Sequence, residues 1–314
     1  MNSAQTLYAL CRREFLDGKT AFVYVPGFIF GFFLLMVILS LVGIGNGISI
    51  DDGLTMRDLA EKFSEAVERE GGNVGEHVTA AYWVMSIPVW MTLPFVVFFG
   101  LSGALYDERK DRSILFFKSM PVADWQEVVA KLVTIAIAAP LAYLAITFVA
   151  QLAFAFVMSI AVLFHGGPVL ELWPLFTMVE TVMGGAVFAL TYFLWAAPIF
   201  GWILLASAFA PKVPFLFAAF PPVVLSIIEV QIFGHSMLAE FLLDHVGRGM
   251  AEVGDSIIGI DSRINGPDDL LEELSLITSV KVLLASFAKS SFWVGQGVAA
   301  VLVLGAIEAR RRAN

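Results

Sequence analysis

Residues 105–133 read LYDERKDRSILFFKSMPVADWQEVVAKLV, and charged residues occupy ten of these twenty-nine positions. Long apolar runs with almost no charge lie on both sides of this stretch. A charged side chain inside a hydrocarbon core is costly, so a segment this polar does not cross a membrane unaided. The stretch therefore predicts a connection between two membrane spans, and the apolar runs beside it are the first candidates for those spans.

The composition of the whole chain points the same way. Its 314 residues are 59% hydrophobic and 15% charged, whereas soluble domains average about 25% charged residues. A single cysteine, Cys11, excludes an internal disulfide and any CxxC metal or redox motif. The net charge of -9 does not suggest a nucleic-acid partner. The polar start of the chain, followed by a long apolar run, argues against a cleaved signal peptide.

Apolar length sets the number of spans. A helix needs about 20 mostly apolar residues to cross the hydrocarbon core. We therefore predict an all-α, polytopic fold in which residues 1–314 form a single transmembrane domain. The six predicted spans cover roughly residues 21–45, 81–105, 132–164, 175–209, 214–233 and 292–307. Pro140 and Pro198 are predicted kink points within the third and fourth spans.

The distribution of Lys and Arg predicts the orientation. With both termini in the cytoplasm, twelve of the nineteen basic residues lie inside, as the positive-inside rule expects. The other seven fall mostly in two longer loops. The chain is therefore expected in a bacterial inner (plasma) membrane, multi-pass, with the 105–131 segment on the cytoplasmic side.

Three further segments are predicted to be helical. The first, residues 3–19, has apolar residues on one face and basic residues able to reach headgroups, as in an interfacial elbow helix. The other two lie in the periplasmic loops, 46–80 and 234–291. Residues 55–70 repeat apolar positions at helical spacing. Residues 266–287 carry an apolar stripe, which includes Leu274, Ile277 and Leu284, and are predicted to lie on or dip into the outer membrane face.

The 105–131 segment itself is predicted to contain a short helix parallel to the membrane. Its charged turn would face the cytoplasm, while Ile114 and the three apolar residues after it would face the interface. Pro121 would end the helix. Asp124, followed by Glu127, would cap the helix that leads into the third span. Mixed charge on a rigid element suits specific ion pairing with a soluble partner.

Two acidic residues, Glu180 and Glu229, fall inside predicted spans. Charges there normally face protein or water. Either each one hydrogen-bonds a neighbouring helix, or both line a transport path, and the sequence leaves both readings open. Pro221 and Pro222 interrupt the backbone hydrogen bonds of the fifth span, which only neighbouring groups or water can restore.

Gly27 and Gly31 form a small-xxx-small pair in the first span, a candidate site of helix packing, including homodimer packing. The four histidines match no metal-site spacing, and we predict that they are isolated and solvated. The GKT at residues 18–20 lacks the earlier glycine of a P-loop, since that position is Arg13. We therefore predict no catalytic residue, no metal site and no cofactor bound by this chain.

The 105–132 stretch resembles permease subunits of the second class of bacterial ABC exporters, which have the type V exporter fold. The family pattern has an acidic-basic run after span two, an apolar patch, Lys-Ser-x-Pro and a helix entering span three. The matching residues are Tyr106, Glu108, Arg109, Asp111, Arg112, Lys118, Ser119 and Pro121. Residues 197–229 are similar to the family's junction of spans four and five, and include Trp202, Pro221 and Glu229.

The resemblance implies a dimer of permeases served by two copies of a separate cytoplasmic ABC ATPase, which would hold ATP and Mg. It also implies that the insert between spans two and three is the coupling helix. From the apolar composition we expect an amphipathic or hydrophobic substrate, with spans one, two and five lining its path. Two alternatives stay open: a non-transporting membrane anchor or sensor for an ABC ATPase, and an intramembrane enzyme using Glu180 and Glu229.

Overall fold

A computed structural model of the chain describes residues 3–41, 65, 74–114, 122–164, 167–258 and 274–313. Within these ranges the secondary structure is helical, without strands. Six helical segments are long and apolar enough to cross a membrane, which confirms the predicted number of spans. They are Thr20–Leu39, Val74–Lys110, Asp124–Phe164, Val169–Phe209, Pro214–Phe233 and Ser290–Arg312.

We number the α-helices in chain order. They are α1 (Ser3–Asp17), α2 (Val25–Leu41), α3 (Val74–Trp90), α4 (Leu93–Ala104), α5 (Tyr106–Lys110), α6 (Asp124–Val133), α7 (Ala139–Phe164), α8 (Leu175–Phe209), α9 (Pro214–Phe233), α10 (Met237–Leu243), α11 (Gly249–Ile258), α12 (Leu276–Ser286) and α13 (Ser290–Arg312). Span two consists of α3 to α5, and span three of α6, a π-turn and α7. Spans four, five and six are built on α8, α9 and α13.

Helix α8 of span four and helix α9 of span five have the predicted bounds, although the apolar segment of span four already begins at Val169. Spans two and three are longer than predicted. Span two already starts at Val74, within the predicted outer loop, because Val74 and Val78 are buried against Phe154 and Met178. Span three extends back to Asp124, since the charges of α6 find partners among its neighbours. Spans two and three therefore continue past polar residues, because contacts with neighbouring helices stabilise the additional turns.

Spans one, two and three each contain a backbone irregularity among the described residues, and in span one it is a π-turn at Thr20–Tyr24. Span two breaks at Met91 and Thr92, between α3 and α4, and the Thr92 hydroxyl donates to the Val89 carbonyl at 2.7 Å. In span three a π-turn, Thr134–Ala138, precedes Pro140. A π-turn there accommodates the missing N–H of the proline ring and its clash with the preceding turn. In span four, by contrast, α8 continues through Pro198.

Span four is the centre of the bundle. It packs along most of span six, where small residues allow a close approach of the two helices. A Cβ atom on Gly201 of α8 would lie 3.2 Å from the Leu302 Cβ of α13, and a Cβ on Gly305 would lie 3.2 Å from Leu205. The main apolar core combines buried residues of spans two, three and four, with Leu101, Val128 and Leu204 among them.

The loop after span five returns to the bundle. Within the predicted 266–287 helix, the structure describes α12, which begins at Leu276 with the Ser275 hydroxyl as its N-cap, 3.2 Å from Thr278 N. Of the predicted apolar stripe, Ile277 and Leu284 are exposed, whereas Leu274 is buried against the bundle. The small polar side chains face inward instead. Ser286 accepts a hydrogen bond from Trp195 Nε1 of α8 at 2.9 Å. The predicted 55–70 helix lies outside the described residues, apart from Glu65.

Span five keeps its helix through the proline pair. Pro222 has no N–H, so the carbonyl of Ala218, four residues earlier, loses its helical partner. Trp202 of span four supplies the replacement, since its Nε1 donates to this carbonyl at 2.8 Å. The expectation that a neighbour satisfies the interrupted backbone is confirmed here. The bond also attaches α9 to α8, although Ala218 is the only buried residue of α9.

Replacing this donor should destabilise the protein. Trp202→Phe leaves the Ala218 carbonyl unpaired, which costs about 1–3 kcal/mol, and should lower the melting temperature in detergent. Trp125→Phe, at an exposed indole, is the matched control and should leave it unchanged. Adding Pro222→Ala to Trp202→Phe returns a backbone donor and should restore part of the loss. Equal melting temperatures for Trp202→Phe and the wild type would contradict this account.

Candidate functional site

Seven charged side chains meet at the end of the bundle where the 105–131 segment lies, which we call the insert end. They come from α1, α5, α6 and α13, segments that are far apart in the chain. We call them the ion-pair cluster: Arg13, Glu14, Glu108, Asp124, Glu127, Lys131 and Arg310.

Glu108 is the centre of the ion-pair cluster. Its Oε1 lies 3.0 Å from the Lys131 Nζ, and its Oε2 accepts from the Arg310 Nη2 at 3.1 Å. Arg310 also pairs with Asp124 through its other terminal nitrogen. The side chains of Glu108 and Lys131 are each 8% exposed and that of Arg310 only 3%. Helices α5, α6 and α13 are therefore joined by charges that are shielded from solvent.

The second half of the cluster attaches α1 to α6. Arg13 donates to both carboxylate oxygens of Glu127, at 2.7 and 3.4 Å, and also pairs with Glu14. Lys131 donates to Glu14 at 2.9 Å. Carboxylate oxygens of Glu14, Glu108 and Glu127 lie within 4.8 Å of one another, close enough to share a metal ion. The ammonium of Lys131 and the guanidinium of Arg13 already provide the positive charge that this arrangement needs.

Besides the ion pairs, hydrogen bonds to the end of span four hold the start of the insert in place. The Ser207 hydroxyl accepts from the backbone N–H groups of Leu105 and Tyr106, at 3.0 and 3.1 Å. Arg109 donates to the carbonyls of Ser207 and Ala210, at 2.7 and 3.0 Å. These carbonyls lie at the C-terminal end of α8, where a cation is favoured. The start of the insert is thus fixed to span four as well as to spans three and six.

The predicted coupling residues consequently divide into two groups. Glu108 and Arg109 turn inward and hold the insert, contrary to the expectation that the whole charged turn faces solvent. Asp111 and Arg112 are exposed. Lys118, Ser119 and Pro121 lie outside the described residues. Ile114 is 2% exposed, so it packs within the protein instead of facing the membrane interface.

Asp124 and Glu127 do not cap α6 in the predicted way, because both carboxylates are engaged by arginines. Helix α6 begins after Ala123. The Ala123 N–H donates to the side-chain oxygen of Gln126 at 3.2 Å, so Gln126 performs the capping that the sequence pattern assigned to acidic residues.

Arg112 has an unusual backbone conformation. Its φ of 55° lies in the left-handed region, which favours glycine and is uncommon for other residues. Such conformations concentrate at functional positions, where the surrounding structure compensates for their cost. Arg112 lies two residues after the end of α5 and is exposed. An exposed guanidinium group therefore stands at a position whose backbone conformation glycine would adopt more easily.

An apolar cavity of about 680 Å³ lies between spans two, three and four. Its walls include Trp83, Phe98, Leu144, Phe188 and Leu274. Among the described lining residues none is charged. Both indole N–H groups in the wall are already bonded: Trp83 Nε1 donates to Thr181 Oγ1 at 3.1 Å, and Trp90 Nε1 donates to Thr147 Oγ1 at 3.0 Å.

The two predicted acidic residues of the spans lie in different surroundings. Glu229 accepts from the Ser236 hydroxyl at 2.7 Å and from the Leu238 N–H at 3.0 Å. It therefore joins the end of α9 to the start of α10, and these contacts agree with the reading as a helix-locking residue. Glu180 is partly buried in α8. Neither glutamate is among the residues lining the apolar cavity.

The remaining candidates are the prolines and glycines. Pro221 and Pro222 lie in the weakly buried α9 and do not line the apolar cavity. Added Cβ atoms at Gly27 and Gly31 would meet nothing within 4 Å among the described residues, so the face of α2 that carries them is open. The predicted homodimer contact through these glycines stays a prediction.

One histidine corrects the expectation of isolated, solvated side chains. His77 and His235 are exposed, and His165 lies outside the described residues. His245, however, is 1% exposed. Its Nδ1 donates to the Phe241 carbonyl at 2.7 Å, and its ring packs beside Trp195. The sequence signal for this burial is weak, because the partner Trp195 is distant and the glycine that admits the ring, Gly295, belongs to another helix.

Comparisons of the chain with protein-family models, with curated proteins and with solved structures found no match.

The ion-pair cluster should make the fold sensitive to acid. Burial alone would raise the pKa of Glu14, but pairing with Lys131 and Arg13 holds this pKa below its usual range. An unfolded chain takes up this proton near the ordinary glutamate pKa of about 4.3, and the folded protein takes it up at lower pH. The contribution of Glu14 is therefore complete above that value and is lost as the pH falls through the folded pKa.

We accordingly expect Glu14→Gln to flatten the fall in melting temperature on acidification of the purified protein. Asp17→Asn, an exposed carboxylate on the same helix, is the control and should retain the wild-type dependence. Identical pH profiles for Glu14→Gln and the wild type would show that the Glu14 ion pairs contribute nothing to stability.

Proposed function

We propose that this chain is the membrane permease subunit of an ATP-driven ABC exporter, and that its ATPase is a separate cytoplasmic protein. The observation that carries the proposal is the construction of the insert. Buried ion pairs and backbone bonds fix its base to spans three, four and six, while Asp111 and Arg112 project as exposed charges. A part that transmits force needs a rigid attachment and an accessible contact surface, and this segment combines the two.

The proposed division of roles follows from this geometry. Asp111 and Arg112 contact the ATPase, and the unusual backbone of Arg112 orients its guanidinium for an ion pair with the partner. Glu108 and Arg109 act through the insert without touching the partner. Lys118, Ser119 and Pro121 complete the coupling segment, on the strength of the family resemblance. The ATP and Mg belong to the ATPase subunits.

A movement of the insert is transmitted directly to spans two and three. Helix α5 follows α4 after one residue, and Glu108 of α5 is paired with Lys131 of span three. A displacement by the ATPase therefore moves spans two and three together. Nucleotide can drive such a displacement only by binding two partner states with different affinity. The substrate is amphipathic or hydrophobic, and it moves by alternating access.

The proposed assembly contains two permease chains and two ATPase subunits in the plasma membrane, with both permease termini in the cytoplasm. Three features support it: the six apolar spans, the excess of basic residues at the insert end, and the resemblance of residues 105–132 and 197–229 to the exporter family. The open glycine face of α2 leaves room for a second chain.

The proposal is tested at Arg112. We expect Arg112→Gly to keep the fold, because glycine adopts the left-handed backbone without strain, and to lose the exposed guanidinium. The tagged chain, purified from its native host, should carry an ATPase with a GxxxxGK[ST] motif and should hydrolyse ATP. In Arg112→Gly the amount of copurified ATPase should fall strongly.

Arg311→Ala is the matched control, because Arg311 is an exposed arginine at the same end of the bundle but outside the insert. It should copurify the ATPase normally. Wild-type protein that carries no nucleotide-hydrolysing component would refute the proposed function. Normal association of Arg112→Gly would refute the role of Arg112 alone.

A further inference from the structure

The apolar cavity is too large to be a packing defect. Protein interiors are close-packed, and voids larger than a water molecule are few, whereas this cavity measures about 680 Å³. That volume lies within the range of about 300–1,000 Å³ typical of ligand sites. A dry apolar cavity of this kind takes up apolar molecules. The question is therefore which apolar molecule can reach it.

Backbone irregularities on two of the three walls keep the cavity open. The break between α3 and α4 exposes Met91 and places Leu93 and Pro94 along the wall. On the span-three side, Ala136 belongs to the π-turn and Pro140 follows it. Irregular turns of this kind occur frequently at functional sites. The volume is thus built into the backbone and does not depend on a single side chain.

Leu274, two residues before the start of α12, forms part of the cavity wall. A Cβ atom on Gly184 would lie 1.8 Å from the Leu274 carbonyl oxygen, so only glycine permits this contact. The Leu274 side chain is 8% exposed and packs with Ala80, Trp83 and Leu144.

The side of the cavity, in contrast, has exposed lining residues within the membrane spans. Met91 is 66% exposed, Ile87 is 46% exposed and Tyr192 is 36% exposed. All three belong to spans two and four, which enclose the cavity. Because these spans are long and apolar enough to cross a membrane, we expect this side of the cavity to face the acyl chains of the bilayer.

The lining also selects the ligand chemistry. Among its described residues none is charged, and the two indole donors are occupied by Thr181 and Thr147. Tyr192 is the one described lining residue with a hydroxyl group. A buried charge or an unpaired polar group would be costly here. A saturated or unsaturated hydrocarbon chain meets no such cost.

From these observations we propose that the cavity between spans two, three and four binds one hydrocarbon chain of a membrane lipid, which enters laterally past Ile87, Met91 and Tyr192. The headgroup stays outside, at the level of the membrane interface. This inference goes beyond the proposed function, because it concerns binding by this chain alone and requires neither ATP nor an ATPase.

The test uses the full-length purified chain in vesicles of phosphatidylethanolamine and phosphatidylglycerol doped with a phosphatidylethanolamine whose acyl chain carries a diazirine. After illumination, mass spectrometry locates the labelled residues. We expect label on the buried lining, at Trp83, Leu144 and Phe200, besides the label on lipid-facing surfaces. The substitutions Ala189→Val, Ala189→Leu and Ala189→Phe fill the cavity progressively and should remove the buried label step by step.

Ala145→Phe is the matched control, because Ala145 is exposed on α7 and outside the lining. It should keep the wild-type label on the buried residues. Melting temperatures identify any variant that fails to fold, and the smaller Val and Leu substitutions keep the series interpretable. The proposal is overturned if the wild type shows label on exposed residues only, or if folded Ala189→Phe retains the full buried label. Either result can occur with or without a copurifying ATPase, so it is distinct from failure of the proposed function.

Discussion

The pairing of Glu108 with Lys131 and Arg310 is the interaction on which the insert end of the molecule depends. Removing ions from water costs several kcal/mol each, and close pairing with good geometry is what offsets that cost. In the ion-pair cluster, four acidic and three basic side chains from four helices pair with one another, and these pairs offset the desolvation cost. Displacing Glu108 would remove one of the two partners of both Lys131 and Arg310, and displacing Arg13 would leave the buried Glu127 without its partner. The pairs therefore favour a common movement of α1, α5, α6 and α13.

This constraint connects the two regions with functional proposals. Span two carries Glu108 at one end and supplies Trp83, Trp90 and Phe98 to the cavity wall. Span three carries Lys131, and its π-turn adds Ala136 to the opposite wall. A shift of the insert is therefore a shift of two cavity walls, while span four, held by Ser207 to the start of the insert, forms the third wall. The proposed coupling and the proposed lipid site use the same rigid elements.

The membrane architecture could be predicted from the sequence, because apolar length and sharp boundaries are local properties. The apolar run of span four ends at Pro211 and Lys212, and that of span five starts at Pro214, so the end of the first and the start of the second were predicted correctly. The inward turn of Glu108 could not be predicted, because its partner Arg310 lies 202 positions away. The position of Lys131, a cation at the start of an apolar run, did indicate a buried ion pair, but it did not identify the partner residue.

The cavity could not be predicted from the sequence either, for a different reason. Its volume depends on how three helices pack, and the expected path through spans one, two and five followed from the family resemblance and from aromatic composition. Pro140 was predicted to mark an irregular helix, yet irregularity alone does not distinguish a kink from a cavity. The Pro222 backbone gap shows the same limit: the need for a donor was evident, whereas its identity as Trp202 required the structure.

The most direct test of the central claim is the distance distribution between spin labels at positions 110 and 311, two exposed sites on α5 and α13, measured by pulsed electron paramagnetic resonance. The account predicts one narrow distribution in the otherwise unmodified protein and a clearly broader one in Glu108→Gln, which removes the central charge but keeps the side-chain shape. A distribution that is already broad with Glu108 intact, or equally narrow with Gln in its place, would contradict the claim that buried ion pairs make the insert rigid.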